Sequence, residues 1–171
     1  DNVGGLVDNE FEVFSQRMDA GLAGLGPNDY RLSDVGGIGN ALYDVSSPPD
    51  VAFNPIDDEY LVVWVADDPI DGIVDGELEV FAQRLTWDIQ GVGPNDERIS
   101  DTGGLGDSTF LADDPVVAAH AATGQFLVAW TGDDDTGTLV DDEDEAFIQR
   151  MRGSYIFADG FESGDAMYWS S

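Results

Sequence analysis

The side chains with the most chemistry to offer are carboxylates, and they crowd at a recurring interval. One run reads Asp67-Asp68-Pro69-Ile70-Asp71-Gly72-Ile73-Val74-Asp75-Gly76-Glu77-Leu78-Glu79. A second holds Asp133-Asp134-Asp135 and Val140-Asp141-Asp142-Glu143-Asp144-Glu145; a third has Asp1 and Val7-Asp8-Asn9-Glu10-Phe11-Glu12. In extended backbone alternate side chains share a face, which would set Asp75, Glu77 and Glu79 in a row about 7 Å apart. A like-charge pair at ~4 Å costs roughly 4 kcal/mol at an effective dielectric near 20, so a crowd repeated three times calls for a cation.

Calcium answers that chemistry. It takes about six to eight oxygen ligands in loose geometry and suits Asp/Gly-rich loops, binding with modest affinity in extracellular modules. Magnesium keeps more of its waters, and zinc wants His or Cys, of which the chain offers only His120. The expected ligands are Asp68, Asp71, Asp75, Glu77 and Glu79 in one site and Asp134, Asp135, Asp141, Glu143 and Glu145 in another. Asp1, Asp8, Glu10 and Glu12 form a third. The competing reading is a solvated acidic coat, but a coat scatters its acids, and here Asp concentrates in loops. Paired carboxylates can also hydrolyse glycosides. With so many acids, pairs arise by chance, and no Ser/His/Asp or Cys/His arrangement supports catalysis, so no enzymatic activity is expected.

The elements that must position these acids repeat with them. Glu10-x-Glu12-Val13-Phe14-Ser15-Gln16-Arg17 returns as Glu77-x-Glu79-Val80-Phe81-Ala82-Gln83-Arg84 and as Glu143-x-Glu145-Ala146-Phe147-Ile148-Gln149-Arg150, 67 and then 66 residues later. Gly26-Pro27-Asn28-Asp29 matches Gly93-Pro94-Asn95-Asp96, and Trp64 matches Trp130. A fixed period of this size marks a repeat architecture in which each unit buries its apolar face against its neighbours.

Within the unit, Tyr60-Leu61-Val62-Val63-Trp64-Val65 and Phe126-Leu127-Val128-Ala129-Trp130 are apolar on both faces, as in a strand packed between layers. Val51-Ala52-Phe53 and Val116-Val117-Ala118-Ala119 precede them across short turn segments, a hairpin pattern. Phe-x-Gln-Arg makes a third strand, and Arg31-Leu32-Ser33 or Arg98-Ile99-Ser100 a fourth. Gly-Pro-Asn-Asp and the glycine-rich runs at 34–39 and 101–106 are expected turns. The prediction is an all-β, antiparallel fold of about four strands per 66–67-residue repeat, either propeller-blade-like or stacked sheets. Residues 1–48 form a partial repeat (third and fourth strands), 49–114 a complete one, 115–152 a partial one (first three strands), and 153–171 a tail. Propellers typically need at least four blades, so this much of a ring cannot close alone.

Composition narrows the partners. The net charge is −30, from 36 acidic residues against 6 basic ones, and every basic residue is Arg. Nucleic acid and anionic membrane surfaces both need clustered Lys and Arg, and neither is expected as a partner. No apolar run reaches the roughly 20 residues of a membrane span. Without cysteine, reinforcement must come from packing or oxygen-ligated ions. Arg17, Arg84, Arg150, Arg31 and Arg98 hold repeat slots and are expected to pair with carboxylates. Trp64 and Trp130 read as core, while Trp87 and Trp169 break the repeat. The chain begins at Asp1 rather than Met, which suggests a processed or excised product.

The pattern Pro-x-Val-Ala, then Phe/Tyr-Leu-Val-x-Trp, an acidic glycine loop and Glu-Val-Phe-x-Gln-Arg resembles a tandem repeat of large secreted bacterial surface proteins of a propeller-like or adhesin-like kind, over residues 1–152. The ending Phe157-Ala158-Asp159-Gly160-Phe161-Glu162-Ser163-Gly164-Asp165, closing with Trp169, is similar to a C-terminal motif of exported bacterial proteins. The resemblances imply an extracellular or cell-surface protein and bring no catalytic residues. The expected function is a calcium-stabilised structural or adhesive repeat protein, with a cell-surface or matrix ligand that the sequence does not name. Its incomplete units suggest self-association by strand pairing, with Tyr155-Ile156-Phe157-Ala158 as a donated strand and an open filament favoured over a ring. The alternative is a fragment of a larger extracellular propeller-like binding protein or hydrolase.

Overall fold

A computed structural model describes residues 3–135, 137–140 and 143–152. The expected sites at Asp1 and Asp141, the side chain of Asp71, and the whole tail motif lie outside the described residues. Among the described residues nine antiparallel strands form three sheets. β1 (Phe14–Met18) and β2 (Gly24–Arg31) make the first. β3 (Asp50–Asn54), β4 (Glu59–Ala66), β5 (Glu79–Thr86) and β6 (Gly91–Arg98) make the second, in that order. β7 (Ala112–His120), β8 (Gln125–Asp133) and β9 (Asp144–Arg152) make the third. Helix is confined to two single 3-10 turns, Val3–Gly5 and Ile70–Gly72, among the described residues. The fold is all-β, with open sheets and no closed barrel among the described residues.

The doubly apolar strand β4 explains the layering. Its alternate residues Leu61, Val63 and Val65, with Val80 and Ala82 of β5, pack against Phe126, Val128 and Trp130 of β8. The intervening Val62, Trp64 and Ala66, with Phe81 and Leu85, pack against Val13, Leu32 and Val35 of the first unit. The central strands β4 and β5 are therefore buried on both faces, between the third sheet and the segments that flank the first, and Leu61, Val63, Trp64 and Phe81 are fully inaccessible. Each fully buried aliphatic side chain of this size contributes roughly 1.5–3 kcal/mol.

Gly-Pro-Asn-Asp is not a turn. Residues 26–29 and 93–96 lie inside β2 and β6, outermost in their sheets, where proline removes no needed ladder donor. Gly26 and Gly93 take φ of 79° and 83°, Asp29 and Asp96 both 49°, and the pairing register shifts opposite them. The repeated glutamine mends this bulge: the Gln83 side-chain amide donates to the carbonyls of Arg84 at 2.8 Å and Val92 at 3.3 Å. Gln16 does the same for Arg17 and Leu25. The expected fourth strand at 31–33 and 98–100 also moves, since β2 and β6 end at Arg31 and Arg98. The serines beyond them face the acids instead.

Candidate carboxylate sites

Asp75, Glu77 and Glu79 do not line one face of a strand. β5 starts only at Glu79, and residues 74–77 form a turn closed by Glu77 N–H on Val74 O at 3.0 Å. Asp75 is exposed at its tip. The Glu77 side chain, fully buried, folds back to accept Val74 N–H at 2.9 Å and reaches across to accept Gly106 N–H at 2.9 and 3.1 Å. Glu79, also fully buried, accepts Thr102 N–H at 2.9 Å and the Ser100 hydroxyl, with Arg98 Nη1 at 4.0 Å. Ser100 Oγ in turn accepts Val80 N–H at 2.7 Å.

The first unit repeats the arrangement. Glu10 accepts Val7 N–H at 2.7 Å and Gly39 N–H at 2.9 and 3.1 Å. Glu12 accepts Val35 N–H at 3.2 Å, the Ser33 hydroxyl and Arg31 Nη1 at 3.3 Å. These acids are loop braces: each satisfies its carboxylate oxygens with backbone N–H groups of the glycine-rich loop that follows β2 or β6, in the manner of charge-assisted hydrogen bonds. In the third unit Glu143 is exposed, and Glu145, opposite Gly132 in the ladder, leaves Oε2 unpartnered. Asp8 and Asp135 are exposed, whereas Asp134 is buried. Among the described residues no three carboxylates or imidazoles lie where they could jointly hold a metal ion.

Three of the five repeat-slot arginines pair with carboxylates as their spacing suggests: Arg31 with Asp34 at 3.1 Å, Arg98 with Asp101 at 2.8 Å, and Arg84 Nε with Glu59 at 3.1 Å. Arg17 lies instead over the Trp87 ring at 4.7 Å, which leaves that indole half-exposed. His120 is not in the turn but ends β7 just before it, its Nδ1 2.8 Å from Thr123 Oγ1.

Sequence reasoning missed the junction between the first and second units. Asp67 accepts Asp44 N–H at 2.6 Å and Gly76 N–H at 2.9 Å. Asp68 Oδ1 accepts Gly36 N–H at 3.2 Å, and Asp96 Oδ2 accepts Asp34 N–H at 2.7 Å. Burial, followed by the charges of neighbouring acids, outweighs these hydrogen bonds and raises Asp96 to about 7. Burial likewise raises Asp68 and Glu12, and takes Glu79 to about 7. The available signal was the second Gly-Pro-Asn-Asp, whose Asp falls on a surface that only stacking buries.

No helix among the described residues is long and apolar enough to cross a membrane. No protein-family model matches the chain, and no curated protein and no solved structure matches it either.

Proposed function

We propose that the chain is an extracellular structural or adhesive repeat protein whose sheets stack to build an assembly, braced by calcium and performing no chemistry of its own. One observation carries this reading. The outward face of the third sheet presents Val116, Leu127 and Ile148, which are 56%, 45% and 45% exposed. Its repeat counterparts in the second sheet include Leu61 and Ala82, at 0% and 1%, buried against the third. At the opposite end, Phe14 and Met18 are 41% and 52% exposed, while their counterparts Phe81 and Leu85 are buried against the first unit. The two ends thus carry the two halves of an interface that the molecule already makes internally.

A second copy stacked head to tail satisfies both ends, and such a heterologous contact extends into a filament unless its rotation closes. This replaces edge pairing by face stacking as the mode of association. The extracellular setting rests on the resemblance to secreted repeat proteins, and the calcium on the chemistry of the acidic loops.

Light scattering across a concentration series tests the assembly. The wild-type chain is expected to grow in mass with concentration, and Leu127→Asp, placed on an exposed position, to remain folded and monomeric. A wild-type chain that stays monomeric at every concentration overturns the reading.

A further inference from the structure

We propose that the junction between the first and second sheets holds a divalent cation, calcium by preference, between the free oxygens of Asp68 and Asp96. The proposal deepens the reading of a cation-braced stack, on which it rests, and moves the brace from the acidic loops to the contact between units.

Asp68 follows β4 and Asp96 stands in the bulge of β6, yet both lean on one loop, accepting Gly36 and Asp34 N–H with one oxygen each. Asn95 Nδ2 also donates to Asp96 Oδ2, at 2.7 Å. The other oxygens, Asp68 Oδ2 and Asp96 Oδ1, have no hydrogen-bond partner, although each residue is only 2% exposed. Asp96 feels the charges of Asp68, Glu12 and Asp34. The guanidinium of this unit, Arg31, is already committed to Glu12 and Asp34. Among the described residues no ion pair reaches Asp68 or Asp96.

Two buried acids with unsatisfied oxygens and no counter-charge are costly; burial of a charge is tolerated when it is paired or coordinates a metal. An oxygen-only pair selects a hard cation over zinc. Calcium's loose shell of about six to eight oxygens can be completed by water and backbone carbonyls around two carboxylates.

A comparison inside the molecule shows that stacking makes the site. Asp29, the counterpart of Asp96, has the same φ of 49° and the same Asn neighbour as hydrogen-bond partner, yet it is exposed. What Asp96 has in addition is the loop of the adjacent unit.

The test is thermal unfolding of the 171-residue chain with calcium titrated from chelator-treated buffer at pH 7.5 and low salt. Wild type, Asp96→Asn and Asp75→Asn are compared, with calcium binding followed in parallel by calorimetry. At calcium about 100-fold above its Kd, the wild-type midpoint should rise by roughly 5–10 °C. Asp96→Asn keeps an acceptor for Asp34 N–H, should lose that rise, and in chelator should be at least as stable as wild type. Asp75→Asn, altered at an exposed loop tip, should keep the rise in full. If Asp96→Asn keeps it while Asp75→Asn loses it, the cation sits in the loop and the junction site is overturned, although the cation-braced reading stands. If wild type shows neither binding nor a rise, both fall, and the pair holds a shared proton instead.

Discussion

Glu77 separates the two roles a buried acid can play here. Truncation to alanine strands the Val74 and Gly106 N–H groups, both of which the carboxylate accepts at 2.9 Å in a position with no solvent access. An orphaned buried donor costs about 1–3 kcal/mol, so the pair predicts roughly 4 kcal/mol for Glu77→Ala. In a chain of this size 1 kcal/mol moves the midpoint by roughly 2–4 °C, which gives a fall of roughly 8–16 °C. Glu77→Gln should behave differently. Both N–H groups lie 2.9 Å from a single oxygen, Oε2, so an amide carbonyl there can accept both, and only the longer 3.1 Å contact of Gly106 N–H with Oε1 is lost. The expected loss is about 1 kcal/mol or less. A metal ligand would give the opposite pattern, because glutamine lacks the charge that holds the ion. Thermal unfolding by circular dichroism, in chelator and in calcium, makes the distinction. If Glu77→Gln falls as far as Glu77→Ala, or its deficit vanishes in chelator, the brace argument is wrong. Glu10→Ala offers an internal control: the same two contacts exist, but at 9% exposure water can reach them, so its cost should be smaller.

Glu79 predicts a pH dependence. Its folded-state pKa is raised from 4.5 to about 7, chiefly by burial, so the folded chain holds that proton more tightly than the unfolded one. The stabilisation is fully present below about pH 4.5 and is lost as pH rises through about 7. Chemical denaturation across pH 5 to 8 should show stability falling by up to ~1.4 kcal/mol per pH unit from this group, with a shallower slope in Glu79→Gln; equal slopes would refute the assignment. Gly103→Ala should be among the most damaging single changes, since a Cβ there would lie 2.3 Å from the Phe110 side chain at a φ of 69°. Little or no soluble folded protein is the expected outcome, and a wild-type melting curve would show that the 101–106 loop is not packed on Phe110 as described.

The repeat and the strand order were legible because they follow from side-chain periodicity and spacing alone. A sheet between two sheets must be apolar on both faces, and Tyr60–Val65 shows that directly in its residues. Gly-Pro-Asn-Asp was misread because glycine and aspartate at positive φ serve a turn and an edge-strand bulge equally well. The deciding partner was the side chain of Gln83, supplied by the adjacent strand. The placement of Asp75, Glu77 and Glu79 along one strand face was misread for a related reason. Strand alternation set these acids side by side, whereas the Glu77 side chain accepts Gly106 N–H, 29 residues downstream, and Glu79 accepts Thr102 N–H, 23 downstream. Spacing along one loop cannot reveal a donor in another. Asp29 and Asp96 carry the point furthest. Their local sequence and backbone conformation agree, and one is exposed while the other is buried against an adjacent loop with an oxygen to spare. The difference is not encoded in either tetrapeptide; it arises from the neighbouring unit. The burial of Asp96 is therefore a property of the junction between two units and not of the unit itself.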